Sequence, residues 1–274
     1  MKELTQSVCA LAIEVGDYLR EERLKLDSVT SQAKGIHDYV TAFDKESERR
    51  LVTRLHELLP QSGFIAEEGT ATHSGKEQYL WIVDPLDGTT NFIHGFRTTC
   101  ISIALYENQG EGRGRMVLGV VYEIWARECF YSYLGAEGAF LNGQPIHVSH
   151  AATTEESLIA TGFPYTDFSR LDQYMLFLKW TMRHTHGVRR FGSAAADLAY
   201  VACGRVDGFY EYSLKPYDVA AGAFLIQQAG GRVSDFSGGS NWLFGGEIVA
   251  ANAALFPTLQ QTLDNFLGQS PTHK

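Results

Sequence analysis

Two aspartates, Asp84 and Asp87, stand three residues apart in the segment WIVDPLDGTTNF, directly after an apolar run. Taken alone, the segment also fits a surface turn, because Pro85 presets φ, Gly88 supplies conformational freedom and Asp is common in turns. A strand that ends in acids, however, places them at the carboxyl edge of a sheet, where open α/β sheets bind ligands. The segment alone therefore leaves a turn and a ligand site as alternatives.

The residues after Asp87 favour an anion site. The amides of Gly88, Thr89 and Thr90 are predicted to begin a helix, and a helix start offers unpaired N–H groups and a positive dipole end that suit phosphate. A hard cation such as Mg²⁺ takes oxygen ligands and often bridges carboxylates to a substrate phosphate. One short stretch thus supplies carboxylates for a metal and amides for a phosphate.

Two further acidic clusters are candidates to complete such a site. IAEEGT places Glu67 and Glu68 after a short strand, and KPYDVAAG places Asp218 at the head of a small-residue helix, where an N-cap is the alternative. Two like charges ~4 Å apart repel by about 4 kcal/mol at an effective dielectric constant of 20. If the acids converge, they must therefore take up protons or hold cations; the sequence leaves their convergence open.

Composition narrows the function classes. The 274 residues carry a formal charge of −9, which argues against nucleic acid as the primary partner, and the pair Arg189-Arg190 is expected to be a solvated edge or a local ion-pair partner. The N-terminal segment has helical apolar spacing interrupted by acids, so neither a signal peptide nor a membrane span is expected. His184 and His186 are a weak metal signal and are assigned to a surface loop. The four cysteines lack a CxxC spacing, which favours reduced thiols and a cytoplasmic protein.

Helical periodicity dominates the first 60 residues. Apolar positions recur at helical spacing over 5–24 and 43–59, and Pro60 stops the second segment. The polar stretch between them, 27–41, is predicted to be a loop that can move.

The pattern changes to β structure from 63 to 148 and then to alternating strands and helices. The strand-like runs of the first region are GFIA, YLWIVD, CISIALYE, MVLGVVYEIW, ECFYSYL and GAFLNG, which predict an antiparallel sheet. Beyond about Thr153 the predicted helices are 167–184, 193–203, 217–229 and 253–267, with strands SLIATGF, GVRRFG, VDGFYEY, GRVSDF and EIVAAN. This alternation favours a layered α/β arrangement. We expect an N-terminal half, 1–150, and a C-terminal half, 151–274, packed as one body.

Several motifs in this order resemble a known family. WIVDPLDGTTNF resembles the first signature of the inositol monophosphatase family, KPYDVAAGAFLIQQAGG resembles the second, and FIAEEGT matches the glutamate segment that precedes the first. FGSAAADLAYVACGRVDGFYE extends the resemblance over nearly the whole chain. The resemblance replaces the turn interpretation with a two-metal phosphatase site, and it implies a five-layer αβαβα fold of the inositol monophosphatase and fructose-1,6-bisphosphatase type and a homodimer.

The resemblance also implies a set of metal ligands. Glu67, Asp84 and the carbonyl of Leu86 would hold one Mg²⁺. Asp84, Asp87 and Asp218 would hold a second, and a third, loosely bound ion would associate with Glu67. One ion would lower the pKa of a bound water while another neutralises charge on the leaving oxygen.

The remaining roles are implied in the same way. Glu67 and Thr89 would orient the water, Asp44 would support the Thr89 hydroxyl, and Lys34 would lie on a mobile loop near the site. The phosphate would rest on the amides of Gly88 and Thr89. The implied substrate contacts are Glu67, Leu86, Asp87, Gly88, Thr89, Gly192, Ser193, Ala194, Glu211 and Asp218.

These roles imply a Mg²⁺-dependent, lithium-sensitive phosphomonoesterase that hydrolyses a small polyol phosphate, inositol 1-phosphate above all. Tyr217 stands where many relatives carry Trp, and Lys215 stands where animal relatives carry His, so substrate identity is the open point. The segment 89–92, TTNF, favours the inositol branch over fructose 1,6-bisphosphatases and 3′-phosphoadenosine nucleotidases. Histidinol phosphate phosphatase and a non-catalytic binding protein on the same fold stay as alternatives.

Overall fold

A computed structural model describes residues 1–29, 36–70, 73, 76–110 and 113–268, with side chains described for all of these except 26–29 and 36–41. Within these ranges none of the helices has the length and apolar character needed to cross a membrane.

The first sheet follows chain order from edge to edge in the described part of the chain. Its strands are β1 (Gly63–Ala66), β2 (Tyr79–Asp87), β3 (Cys100–Gly110), β4 (Arg113–Glu123), β5 (Glu128–Tyr133), β6 (Ala139–Leu141) and β7 (Gln144–Ile146). The predicted antiparallel pairing holds from β2 to β7, whereas β1 pairs with β2 in parallel. The prediction was wrong for β1, since the crossover through 67–78 is long enough to return the chain to the same sheet edge.

The second sheet is mixed and is built from the later strands. They are β8 (Leu158–Thr161), β9 (Gly187–Arg189), β10 (Gly208–Tyr212), β11 (Gly231–Ser234) and β12 (Glu247–Asn252), and their order across the sheet is β11-β12-β10-β8-β9. β8 lies parallel to both β10 and β9, while β12 runs antiparallel to β10 and β11.

Helices cover both sheets and fill the space between them. They are α1 (Lys2–Val29), α2 (Ile36–Leu58), α3 (Thr89–His94), α4 (Leu171–His184), α5 (Ala194–Ala202), α6 (Pro216–Gln228) and α7 (Phe256–Leu267). Alternate residues of β2 serve different layers: Trp81 and Val83 pack with α1 and α2, whereas Ile82 packs with α5 and α6. In β10, likewise, Phe209 joins α5 and α6 while Tyr210 packs with α4 and α7. The order α1/α2, sheet, α5/α6, sheet, α4/α7 confirms the predicted five-layer αβαβα fold.

Several predicted boundaries were wrong. Helix α1 continues to Val29 and α2 begins at Ile36, so the predicted loop 27–41 is helical at both ends, and residues 30–35 lie outside the described ranges. The apolar periodicity of these helix ends is weak, so the sequence pattern does not reveal a helix that is held mainly by its own backbone hydrogen bonds. His184 is the last residue of α4 rather than part of a loop, with its ring stacked on Trp180.

Candidate active site

The end of β2 carries the first two acids into a cleft. The register of β2 against β3 shifts between Asp84 and Asp87, so the strand bulges where the acids lie. Asp84 is only 2% exposed. Its Oδ1 accepts a hydrogen bond of 2.9 Å from the amide of Leu86, which fixes the carboxylate without any ligand.

Asp87 is held by the start of α5. Its Oδ2 accepts hydrogen bonds from the Ser193 hydroxyl (2.7 Å) and the Ala195 amide (2.6 Å). Ser193 is also the N-cap of α5, because its Oγ accepts a hydrogen bond from the Ala196 amide (3.2 Å). One hydroxyl thus positions both the acid and the helix.

Asp218 reaches the same cleft from α6. It lies in the first turn of the helix, and its Oδ2 accepts a hydrogen bond of 2.6 Å from the Lys215 amide. Lys215 is the N-cap and Asp218 is the acid of a capping box, so the alternative of Asp218 as the N-cap itself is wrong. One carboxylate oxygen from each of Asp84, Asp87 and Asp218 lies within 4.8 Å of the others, so the acids converge as the metal interpretation requires.

Glu67 joins this cluster from the end of β1. Its amide donates to the Val83 carbonyl (3.3 Å), and its carboxylate shares a hydrogen bond with that of Asp84. The residue is exposed on the cleft wall, but its carboxylate end is largely removed from water, which with the charges of Asp87 and Glu68 raises its pKa to about 7. Burial and the neighbouring acids likewise raise the pKa of Asp218 to about 8 and that of Asp84 well above its usual range.

Asp87 differs in degree from the other acids. Burial raises its pKa to about 6, while the hydrogen bonds from Ser193 and Ala195 and the charge of Arg190 oppose the increase. In the metal-free protein the cluster therefore retains protons near neutral pH, as repulsion between close carboxylates requires. A cation would replace those protons.

The candidate phosphate cradle follows Asp87. Gly88 has φ of 90°, and a Cβ there would lie 3.0 Å from the Thr98 carbonyl oxygen and 3.1 Å from that of Gly192, so only glycine fits without strain. Asn91 donates from Nδ2 to the carbonyls of Thr98 (2.8 Å) and Phe191 (2.7 Å). These bonds fasten α3, whose start carries the cradle, to the loop that leads into α5.

The predicted support of Thr89 by Asp44 is not formed. The Thr89 hydroxyl donates to the Leu86 carbonyl (3.0 Å), and Asp44 Oδ1 is buried without a hydrogen-bond partner among the described residues. Burial, together with Glu68 and Glu67, raises the pKa of Asp44 to about 8. Lys34 lies outside the described residues.

A cavity of about 220 Å³ opens beside the acids. The predicted residues that line it are Glu67, Asp87, Gly88, Thr89, Gly192, Ser193, Ala194, Glu211 and Asp218. Glu211 is only 7% exposed, so it is not a solvent-facing strand residue. A Cβ on Gly162 would lie 2.0 Å from both Glu211 carboxylate oxygens, which shows that the acid rests directly on that glycine.

Sequence reasoning missed several lining residues, namely Gly162, Tyr165, Arg190 and Asp197. Arg190 donates to the Tyr165 hydroxyl and stands 5.9 Å from the centre of the Phe163 ring. Arg190 is exposed, as predicted, but it also lines the cavity. The sequence carries no local signal that distinguishes Arg190 from Arg189. Arg189 is the last residue of β9, and the chain turns only after it.

The two positions that depart from the family pattern lie beside Asp218. The Tyr217 carbonyl accepts a hydrogen bond from the Ser102 hydroxyl (3.0 Å), which ties α6 to β3, and the Tyr217 ring is partly buried in the middle layer. Lys215 is exposed and contributes its backbone amide to Asp218. Neither side chain lines the cavity.

Comparisons with known proteins identify the family. Residues 1–267 match the sequence model of the inositol monophosphatase family. The chain is 38% identical over 274 residues to the Nus factor SuhB of Pseudomonas aeruginosa, covering 98% of this chain and 99% of that protein. It is 38% identical over 244 residues to an inositol-1-monophosphatase of Mesorhizobium japonicum, covering 89% and 90% of the two chains. A solved inositol monophosphatase structure from Anabaena superposes with a TM-score of 0.81 at 34% identity, covering 97% of this chain and 98% of that one.

Proposed function

Because the chain belongs to the inositol monophosphatase family, we propose that it hydrolyses inositol 1-phosphate to inositol and phosphate in a Mg²⁺-dependent reaction. The observation that carries the proposal is the convergence of Asp84, Asp87 and Asp218 beside a glycine cradle and a cavity of about 220 Å³. A relative named inositol-1-monophosphatase supports the substrate class.

The donor set fits Mg²⁺. This ion takes oxygen ligands at about 2.0–2.1 Å, so oxygens that share one ion lie up to ~4 Å apart. The oxygens of Asp84, Asp87 and Asp218, within 4.8 Å of one another, suit one ion or a bridged pair, with Glu67 and the Leu86 carbonyl as further ligands. When bound, Mg²⁺ supplies an activated water and neutralises charge on the leaving oxygen.

The chain's own groups bind and orient the reactants. The amides of Gly88 and Thr89 bind the phosphate oxygens, and Glu67 orients the attacking water. The Thr89 hydroxyl, which now donates to the Leu86 carbonyl, turns toward the water and is supported by Asp44. In-line attack needs positioning and charge neutralisation rather than a covalent intermediate, so no phosphoenzyme forms.

The leaving alcohol occupies the part of the cavity beside Ser193, Ala194 and Glu211. Glu211 accepts hydrogen bonds from its hydroxyls, which selects a polyol. Histidinol phosphate, fructose 1,6-bisphosphate and adenosine 3′,5′-bisphosphate remain the alternative substrates within the fold.

A substrate panel with and without Mg²⁺ tests the proposal. We expect turnover of inositol 1-phosphate to require roughly millimolar Mg²⁺, since carboxylate-and-water sites for this ion are seldom tight. Turnover should fall with Li⁺ and with Ca²⁺, which is larger and less strict in geometry. Full activity in excess chelator would refute the mechanism, and a higher kcat/KM on another panel member would reassign the substrate.

A role as a Nus factor is the second candidate function. It is supported by the relative of that name, which aligns with almost the entire chain. Replacing the chromosomal gene with the Asp84→Asn variant separates the two functions, because the variant keeps the fold and the surface. Rescue of the null phenotype by this variant would show a role independent of turnover, and failure of rescue would assign the phenotype to catalysis.

We also propose that the protein is a cytoplasmic homodimer, as its family resemblance implies. Light scattering after size-exclusion chromatography measures the oligomeric state directly. A mass equal to the 30.4 kDa chain would contradict the dimer.

A further inference from the structure

A carboxylate that none of the steps above uses lines the cavity. Asp197 lies in α5 and is only 1% exposed, yet it borders the cavity beside Glu211 and Arg190. Its Oδ1 is buried and has no hydrogen-bond partner among the described residues. A buried acceptor without a partner is costly to retain, so each such group calls for an explanation.

The helix that carries Asp197 fixes its place relative to the acid cluster. Asp87 accepts hydrogen bonds from Ser193 and Ala195 at the start of α5. The Asp197 amide donates to the Ser193 carbonyl (3.0 Å) within the same helix turn. At 1.5 Å per residue, Asp197 lies about 6 Å further along the helix axis than Ser193. The alcohol part of a phosphate ester bound at the Gly88 cradle would span about this distance to reach Asp197.

The surroundings do not neutralise Asp197. The nearest charges that raise its pKa are the acids Glu211 and Asp87, after burial itself. Arg190 opposes them, but its guanidinium donates to the Tyr165 hydroxyl and forms no ion pair with Asp197 in the described part of the chain. Its neighbours one turn away on the same face of α5, Ala194 and Val201, are buried and apolar. The one open side is therefore the cavity.

We propose that Asp197 is a second specificity-determining carboxylate, which accepts a hydrogen bond from a hydroxyl of the leaving alcohol beside the one bound by Glu211. The cavity then selects alcohols that carry several hydroxyl groups over alcohols that carry one or none. This inference rests on the proposed phosphatase function and adds to it the chemistry by which the substrate is chosen.

The test compares two substrates in Asp197→Ala and Asp197→Asn. For Asp197→Ala, kcat/KM on inositol 1-phosphate should fall about five- to tenfold, the usual value of one hydrogen bond to an uncharged group. On p-nitrophenyl phosphate, which has no hydroxyl groups on its ring, kcat/KM should change by less than about threefold. Asp197→Asn keeps one acceptor oxygen and should lie between Asp197→Ala and the wild type.

Thermal stability distinguishes this role from a structural one. Removing a buried, unpartnered acid should leave the melting temperature of the metal-free protein unchanged or higher, whereas loss of a hidden ion pair with Arg190 would lower it. An unchanged ratio of the two kcat/KM values, or an equal loss on both substrates with a lower melting temperature, would overturn the proposal.

Asp235→Asn is the matched control. Asp235 is also a buried aspartate, but its carboxylate accepts hydrogen bonds from Ser237, Gly239 and Asn241 in a loop outside the cavity. This variant should lose stability and keep the wild-type substrate ratio. Failure of the proposed function would show in the wild type, as absence of Mg²⁺-dependent turnover of any polyol phosphate, and would remove the basis of this inference as well. Failure of the inference alone would show only in the Asp197 variants.

Discussion

Asp84, Asp87 and Asp218 each accept a short hydrogen bond from the protein, whereas Asp197 and Glu211, a short distance away in the same cavity, accept none among the described residues. Both groups are desolvated, and burial raises the pKa of every member. The groups therefore differ chiefly in whether hydrogen bonds from the protein hold their carboxylates.

The difference indicates which kind of ligand each group of acids would bind. In the first group a backbone amide or a hydroxyl holds one oxygen in place, and one oxygen of each acid lies within 4.8 Å of the others before any ion arrives. In the second group all hydrogen-bonding capacity is left for the ligand. A cation needs fixed geometry, while an alcohol with rotatable hydroxyls adapts to the acceptors that it finds.

The largest expected effect follows from Asp84→Asn. The asparagine keeps the acceptor oxygen for the Leu86 amide, so the fold should survive, but it removes the charge that bridges the proposed ions. Turnover should fall about a thousandfold or more, which corresponds to a loss of several kcal/mol of transition-state stabilisation. Because one charge leaves a crowded acidic cluster, the melting temperature without metal should hold or rise.

Asp172→Asn serves as the control for this change. Asp172 is an exposed residue in the first turn of α4, so its loss changes the net charge by the same amount without touching the cavity. It should keep wild-type turnover. Wild-type activity in the Asp84 variant would instead remove the metal assignment.

The second effect concerns the other group, through Glu211→Gln. A hydrogen bond to an uncharged acceptor is worth about 0.5–1.5 kcal/mol, or up to about one decade in kcat/KM. The variant should lose this much on inositol 1-phosphate and little on p-nitrophenyl phosphate. Gly162→Ala should reproduce the loss, since its Cβ would collide with the Glu211 carboxylate. The exposed Glu156→Gln is the matched control, and an equal loss on both substrates would end the polyol assignment.

A smaller effect is expected where the protein orients a metal ligand. Ser193→Ala removes one of the two hydrogen bonds to Asp87 and leaves the one from Ala195. Loss of a contact that orients a metal ligand typically lowers metal affinity by about 10–100-fold. Because the Ala195 amide still holds Asp87, we expect the lower end of this range. The Mg²⁺ concentration for half-maximal turnover should therefore rise about tenfold. The lost N-cap should cost about 1 kcal/mol of stability, measurable separately in chelator. An unchanged Mg²⁺ titration would show that Asp87 needs no orientation.

The sequence predicted the metal-side group better than the second group, for a physical reason. Asp84, Asp87 and Gly88 belong to one local segment, in which strand, bulge and helix start follow from neighbouring residues. Glu67 and Asp218 were found because their segments also carry local signals at the end of a strand and the start of a helix. Their convergence was expected only through resemblance to a family.

The second group depends on contacts between distant parts of the chain. Asp197 lies in the segment SAAADLAY, where small residues indicate helix packing and a lone acid is easily assigned to a surface. Its place beside the cavity follows from the position of α5, whose start donates hydrogen bonds to Asp87, an acid more than a hundred residues earlier in the chain. Gly162 and Arg190 were missed for the same reason, because each owes its role to a neighbour in another element.

The last prediction is a pH dependence that separates the metal-free from the metal-bound protein. In the folded chain the pKa values of Asp44 and Asp218 are raised to about 8 and that of Glu67 to about 7, above the values of about 4 expected after unfolding. The folded state then binds more protons than the unfolded state between pH 4 and 8, so stability in chelator is greatest at low pH and falls as pH rises through this window. Each net proton contributes about 1.4 kcal/mol per pH unit, or ~2–4 °C in melting temperature for a chain of this size. Saturating Mg²⁺ displaces the protons from the cluster and should flatten or reverse the slope, while Asp44→Asn should remove only part of it. A melting temperature in chelator that rises from pH 5 to 8 would contradict the desolvation of these acids and, with it, the pre-formed cluster on which the comparison depends.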